Sequence, residues 1–333
     1  MNIHGHPITI GRLKSHVVTR LRQLLLFLSA PLFHLAYLAL SFAADRRPMS
    51  MRMLTREDRN GGYDLKIEVD LVICVVAGPE PLRGILDLLD SAKRYIDGSY
   101  RFIIVDDSCT LRIWRAIRKK EVVDYIRNWK HSGIKGLYGS LQKAYLYALR
   151  NYRFAALLKV DTDTIITGEG LVHDIKSHFV SHAGTGMLGS YRLTCLGIPR
   201  DFSPIASQFE RDYDLWKYII EKAEKNGYRL GEHAQGGAYV ISYSCLHDML
   251  RSRYLTLGQK GSYVAEDGIF SLFVRALGYT IDEFAYNGPF AIAWTGLPLS
   301  TEEIVKQSKK VVHSVKFTAE ELQVREYFSR LRQ

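Results

Sequence analysis

The run Leu157-Leu158-Lys159-Val160-Asp161-Thr162-Asp163-Thr164-Ile165-Ile166 delivers two carboxylates from the end of an apolar strand. Alternation along an extended chain puts Asp161 and Asp163 on one face and Thr162 on the other. Two carboxylates so placed can hold a divalent cation. Oxygen ligands suit Mg²⁺ or Mn²⁺, which keep waters and substrate oxygens in their other positions. An isolated Asp-x-Asp is as readily a polar strand end, but three more groups accompany this one: Asp106-Asp107, Gly236-Gly237 and Glu266-Asp267. Each alone has an ordinary explanation, since acids, for example, often occupy the first turn of a helix to complement its dipole.

The elements that must position these residues follow from periodicity. Leu71–Val76 reads as a buried strand, 82–95 as a helix, and Tyr100–Val105 as a second strand that ends in Asp106-Asp107-Ser108. Trp114–Trp129 has helical character, Gly133–Gly139 is a loop, and Ser140–Tyr152 is a helix that leads into the strand Ala155–Val160. Further on, Asp174–His182 is a helix, Thr185–Tyr191 a strand and Ser207–Asn226 one polar and aromatic helix. After the glycine-rich Gly231–Gly237 come the strand Ala238–Ser242 and helices over Cys245–Arg253 and Asp267–Leu277. Strands alternating with helices predict an α/β fold with a mostly parallel central sheet flanked by helices, whose ligands bind outside the carboxyl ends of the strands. Asp106-Asp107 and Asp161-Asp163 both fall at such ends.

The order of these four groups resembles the nucleotide-sugar glycosyltransferases of the GT-A fold. Leu158-Lys159-Val160-Asp161-Thr162-Asp163 is similar to the lysine-plus-acids segment of the β-1,3-galactosyltransferase and N-acetylglucosaminyltransferase family. Gln235-Gly236-Gly237-Ala238-Tyr239-Val240-Ile241-Ser242 resembles its glycine-rich segment, and Ala265-Glu266-Asp267-Gly268 its acidic pair. Val312-His313-Ser314 followed by Thr318-Ala319-Glu320-Glu321-Leu322 resembles its closing histidine segment. The resemblance spans roughly 135 to 325. Thr162 departs from the family's middle acid, and the opening strands with Asp106-Asp107-Ser108 look more like the large family 2 of the same fold.

The resemblance implies a metal-dependent, inverting transfer from a UDP-sugar to a hydroxyl of a glycan or glycolipid. Asp161, Asp163 and, through the resemblance, His313 would hold Mn²⁺ or Mg²⁺ against the diphosphate. Asp106 and Asp107 lie where a ribose or uracil edge would dock. Lys143 and Lys159 are candidates for phosphate contact, with solvation the ordinary alternative. Gly236 and Gly237 would let backbone approach the sugar, since they carry no Cβ. Asp267 is the candidate general base, with Glu266 the alternative, and a helix cap is the competing role for Asp267. His233 is placed to touch acceptor, and Trp294 reads as a core residue with sugar stacking as the alternative. A nucleotidyltransferase is the enzymatic rival, although Gly78-Pro79-Glu80-Pro81-Leu82-Arg83-Gly84 lacks the lysine of a phosphate-binding loop. A noncatalytic carbohydrate- or membrane-binding protein is the other.

The chain has 333 residues, 47% of them hydrophobic and 24% charged, enough for one large core plus an appendage. The spacing of Cys74, Cys109, Cys195 and Cys245 suggests free thiols. Residues 1–60 hold nine Lys/Arg and three Asp/Glu, hence six of the net ten positive charges. Within this leader Leu24 to Ala44 is a long apolar stretch, broken by Pro31 and His34, and is long enough to span a bilayer. A single-pass anchor, a surface or re-entrant helix and a helix packed on the catalytic domain all fit. A leader over 1–62 and a catalytic domain over 63–333 follow, membrane-associated through 24–44. No Asn-x-Ser/Thr acceptor occurs, so the catalytic domain is expected on the cytoplasmic side. The basic excess flanks an apolar segment and carries no base-reading motif, so nucleic acid is not an expected partner.

Overall fold

The protein is described by a computed structural model over residues 66–79, 82–108, 110–128, 136–258 and 262–332. The leader 1–62 with its apolar stretch 24–44 lies outside the described residues, as do Cys109, Trp129 and Gly133. No helix of the described residues is long and apolar enough to cross a membrane. Cys74, Cys195 and Cys245 are free and buried, as their spacing suggests.

The fold is mixed α/β around a seven-stranded sheet. The sheet uses β2 (Leu71–Ala77), β3 (Tyr100–Asp106), β4 (Val123–Arg127), β6 (Ala156–Val160), β8 (Thr185–Gly189), β9 (Ala238–Ser242) and β10 (Thr280–Glu283), in the order β10-β8-β9-β6-β2-β3-β4. The short pieces β1 (Ile67–Glu68) and β5 (Tyr152–Arg153) pair beside it. β7 (Ile165–Ile166), β11 (Phe290–Ile292) and β12 (Val311–His313) form a separate three-stranded sheet.

β2 shows why the large sheet is central. Its odd residues Leu71, Ile73 and Val75 join one apolar cluster and its even residues Val72 and Cys74 join the other, so both faces are covered. Such strands read as continuous apolar runs. Helix Leu82–Tyr95 packs on the first face, and helices Leu137–Asn151 and Glu266–Ala276 on the second. Burying each large aliphatic side chain contributes about 1.5–3 kcal/mol, so this double-sided core holds the strand ends in fixed register.

Every strand pairing in the large sheet is parallel except those of β9, which runs antiparallel to both β6 and β8. Because β9 enters from the carboxyl end of β6, its leading glycines lie beside Asp161, whose N–H donates to the Gly237 carbonyl at 3.1 Å.

Two expected helices differ. Over 114–129 only Arg112–Ile117 is helical, and Val123–Arg127 is the parallel edge strand β4. All five of its residues are half-buried, as fits an edge strand, and the surrounding charges obscure it in the sequence. The helix expected over 207–226 is two, Ser203–Arg211 and Tyr213–Glu224, broken at Asp212. The Asp212 carboxylate accepts from the Ser262 hydroxyl at 2.9 Å and the Tyr263 N–H at 2.6 Å, a long-range demand that a straight helix would not meet.

Helix Leu82–Tyr95 also supports the turn after β6. A Cβ on Gly84 would lie 2.6 Å from the Thr162 carbonyl oxygen. Gly84→Ala should therefore forgo the roughly 1 kcal/mol of propensity that alanine normally adds to a helix. It should instead lower stability by about 1–3 kcal/mol, read from urea unfolding. A variant more stable than the parent would show that helix and turn are not in close contact.

Candidate active site

Two half-sites meet at the carboxyl end of β6. In the first, the turn that follows the strand closes through Thr164 N–H to the Asp161 carbonyl, at 3.1 Å. Asp163 is fixed there by the Ser314 hydroxyl at 2.8 Å, while its carbonyl accepts the Val315 N–H at 2.8 Å. β12 pairs antiparallel to β7, with Val312 opposite Ile165, and so carries His313 to the same turn. His313 Nε2 lies 3.1 Å from Asp163 Oδ1 and 3.5 Å from Asp161 Oδ2.

One ligand atom from each of Asp161, Asp163 and His313 falls within 4.8 Å of the others. Two carboxylates and an imidazole suit Mn²⁺ or Mg²⁺ with positions left for substrate oxygens. Burial pushes the Asp163 carboxyl up, but the His313 hydrogen bond and charge, helped by Ser314, outweigh it and hold the group well below the usual carboxylate range. His313 Nδ1 is buried and has no hydrogen-bond partner among the described residues. That nitrogen faces Gly237, where a Cβ would lie 2.0 Å away. Gly237 is thus the space the imidazole occupies.

The second half-site is the start of helix Glu266–Ala276. A Cβ on Gly236 would meet Asp267 Oδ2 at 3.0 Å and Glu266 Oε1 at 3.2 Å. The two adjacent glycines therefore make room for opposite halves of the site. Asp267 Oδ1 accepts the Gly268 N–H at 2.8 Å, a helix-start bond, while no hydrogen bond from the described residues reaches Oδ2. The N-cap is Ala265 with no side-chain cap, so Asp267 does not take the expected capping role; its Oδ1 steadies the first turn from within the helix and its Oδ2 is left as an acceptor. Glu266 is buried; burial pushes its carboxyl up to about 7, with Lys159 working against the rise.

Lys159 joins the halves. It is 1% exposed and donates to Asp161 Oδ1 at 2.7 Å and to the Gly236 carbonyl, and it lies 3.3 Å from Glu266 Oε1. The ammonium is spent on the protein, so the expectation that it meets phosphate gives way to a role beneath the acids.

The other expected residues form a separate group at the ends of β3 and β4. Asp106 is 1% exposed; Oδ1 accepts the Ser108 N–H at 2.9 Å and hydroxyl at 2.5 Å, and Oδ2 accepts the Tyr125 hydroxyl at 2.5 Å. Asp107 Oδ1 accepts from Asn128 Nδ2 at 2.7 Å, and Asn128 Oδ1 in turn accepts from exposed Lys143 at 2.5 Å. Asp106 and Asp107 organise these strand ends from within, and Lys143 is the member at the surface. His233 is buried with both ring nitrogens engaged, at Gly231 and Arg200, so it does not project toward an acceptor.

Trp294, expected in the core, is 81% exposed. It follows β11, whose Ile292 pairs with His313, and the Ala293 N–H donates to the His313 carbonyl at 2.7 Å. The apolar neighbours in Ala291-Ile292-Ala293 made it look internal, although a residue just past a short strand is free to turn outward. Arg200 has no sequence signal. A pocket of about 440 Å³ lined by Cys195, Leu196, Tyr286, Asn287, Gly288, Gln307 and Lys309 shares no residue with the acids.

No family model and no curated protein matches the sequence. Among solved structures it is similar to the mannosyltransferase PcManGT from Pyrobaculum calidifontis in complex with GDP-Man and Mn²⁺, with TM-score 0.39 and 13% identity over 66% of this chain and 59% of that one. It is also similar to the apo WbbM bifunctional glycosyltransferase, with TM-score 0.44 and 9% identity over 75% and 46%, and to S. aureus TarS 1-349, with TM-score 0.36 and 14% identity over 65% and 58%. The chain spans between 46% and 59% of the length of these proteins. Overlap of this depth bears on neither donor nor chemistry, which rest on the side chains.

The glycines provide the test. Gly237→Ala should displace the imidazole and weaken Mn²⁺ binding, followed by electron paramagnetic resonance, by roughly 10–100-fold. Gly236→Ala, whose methyl points at Asp267, should leave Mn²⁺ affinity near the parent's. Equal losses in both variants would mean that the loop, and not the His313 ring, sets affinity.

Proposed function

We propose that the chain is a glycosyltransferase of the GT-A type, moving a sugar from a UDP-sugar to a hydroxyl of a glycan or glycolipid with inversion. One observation carries this reading. At the carboxyl end of the central strand, a donor set fit for a cation stands across two glycines from a carboxylate with a free oxygen. A bound cation would offset charge developing on a diphosphate leaving group.

The chain's own residues divide the remaining work. Asp161, Asp163 and His313 hold the cation. Asp267 Oδ2 accepts the proton of the acceptor hydroxyl as that oxygen attacks the anomeric carbon. Lys159 keeps Asp161 and Glu266 in fixed orientation from below. Lys143 is the exposed cation available to donor phosphate, and Trp294 offers a flat apolar face for a sugar ring. The leader, with its apolar stretch and basic flanks, is assigned to membrane association on the cytoplasmic side.

A screen of UDP- and GDP-sugars with Mn²⁺ or Mg²⁺, reading nucleoside diphosphate release, tests the reaction. Release of inorganic diphosphate instead would identify a nucleotidyltransferase, and no turnover with any donor would favour a binding protein. Asp163→Asn should abolish turnover and, because it removes the carboxylate that His313 and Ser314 engage, lower stability by about 1–3 kcal/mol with the chain still folded, read from urea unfolding. Asp267→Asn, which retains an acceptor oxygen for Gly268 N–H, should slow transfer by about a hundredfold or more while still binding donor. Near-parental transfer by Asp267→Asn would move the role to Glu266. A chain beginning near Gly62 should be more soluble and keep donor hydrolysis; failure to fold would make the leader part of the catalytic core.

A further inference from the structure

Behind the Asp267 carboxylate lie Arg200 and His233. Arg200 follows the hairpin closed by the Leu193–Pro199 bridge. Its Nη1 donates to the carbonyls of Ser190 at 2.5 Å, Tyr191 at 3.2 Å and His233 at 2.8 Å, which fixes the guanidinium. Its Nη2 then lies 2.8 Å from His233 Nε2.

The partners dictate the histidine tautomer. A guanidinium has only donors, so Nε2 must present its lone pair; a carbonyl only accepts, so Nδ1, 2.8 Å from the Gly231 carbonyl, must carry the proton. Asp267 Oδ2 sits 3.8 Å from that same Nε2. Lone pair faces lone pair, and no proton links them.

We infer that Arg200 is a positioning residue for Asp267: it holds His233 as the neutral Nδ1–H imidazole, so that Asp267 Oδ2 is left free for the acceptor proton. This rests on the reading of Asp267 as the base. Without Arg200, the ring would be a buried imidazole beside a carboxylate, an arrangement that takes up a proton and makes an ion pair. Asp267 would then be neutralised as a base by its own neighbour.

The charges around the ring are consistent with this. From helix Glu266–Ala276, Asp267 favours protonation of His233, whereas burial and the Arg200 charge oppose it, and the balance pushes the imidazole down. Burial brings the guanidinium down to about 10, which leaves it charged near neutral pH. Glu232, next in the chain, is engaged by Arg229 at 2.8 Å and the Tyr191 hydroxyl at 3.0 Å. Glu283, from β10, accepts the N–H groups of Tyr191 and Leu193 at 3.1 and 2.9 Å and so steadies the segment leading to Arg200. Phe202 covers the imidazole edge-on, with ring centroids 5.5 Å apart.

Two measurements test the inference. Nitrogen-15 NMR of the imidazole, on the full chain without substrate, should show a neutral Nδ1–H ring for His233 near neutral pH, and in Arg200→Met a ring whose titration has moved upward. An Nε2–H tautomer, or ordinary titration in the parent, would overturn it. This readout needs no turnover, so it fails separately from the glycosyltransferase reading, which fails if no donor is consumed. In transfer assays, Arg200→Met should lower kcat by about threefold or more near pH 6 and recover as pH rises and His233 loses its added proton. Arg200→Lys, which keeps a charge and a donor, should lose less. In a His233→Gln background, which cannot protonate, adding Arg200→Met should produce no such pH-dependent loss. A loss uniform with pH, or the same in both backgrounds, would assign Arg200 to the hairpin alone.

Discussion

The site depends on one buried cation. An ammonium taken out of water loses solvation worth several kcal/mol, and it stays charged in a protein only where hydrogen bonds and opposite charge replace the water. Lys159 has both. Burial opposes its charge, yet Asp161 and Glu266, with Asp267 beyond, raise its pKa above the ordinary lysine value. The Tyr239 ring, 5.6 Å from Nζ and in cross-strand register with Lys159, closes the remaining side. With Oδ1 of Asp161 held by Lys159, Oδ2 is turned toward His313, and Glu266 is tethered to the same nitrogen. Metal-capable and base-capable halves thus share a counter-ion and cannot be moved independently.

The antiparallel strand β9 makes this sharing possible. In an all-parallel sheet, the segment before each strand lies at the amino end, opposite the chemistry. Reversal of β9 puts Gly236 and Gly237 at the carboxyl end of β6, and each absent Cβ is filled by a different group, the acidic pair at Gly236 and the imidazole at Gly237. The glycines serve the close packing of the acidic pair and the imidazole against the loop. Backbone approach to a sugar, the simplest reason for glycine there, does not account for Gly237, whose vacant side the His313 ring already occupies.

Much of this was legible in the sequence because it is local. The Asp161–Asp163 spacing, the strand before it and the acids opening a helix are all encoded within ten residues, and the strands β2, β3, β6 and β9 announce themselves as apolar runs between breakers. His313 could be joined to the acids only through resemblance, because the pairing of β12 with β7 spans about 150 residues that no periodicity connects. The same limit hid the roles of Lys159 and Arg200. A lysine inside an apolar strand reads as an irregularity until Gly236 and Glu266, from two distant segments, join Asp161 around it. Edge strand β4 reads as helix in the sequence because an edge tolerates the mixed charge of an exposed helix face.

Glu266 and Asp267 show how surroundings make two adjacent carboxyls different. A general base must be ionised and reachable, and a site that separates the environments of neighbouring acids separates their roles. Glu266 points inward, where burial drives its proton affinity up to about 7 and Lys159 is its compensation. Asp267 turns one oxygen to the Gly268 N–H and the other toward Gly236 and the His233 lone pair. An imidazole that accepts from Arg200 cannot also donate to Asp267. The oxygen proposed to face the acceptor is therefore the one that no described residue hydrogen-bonds, and the availability of Oδ2 follows from partners the fold withholds as much as from those it supplies.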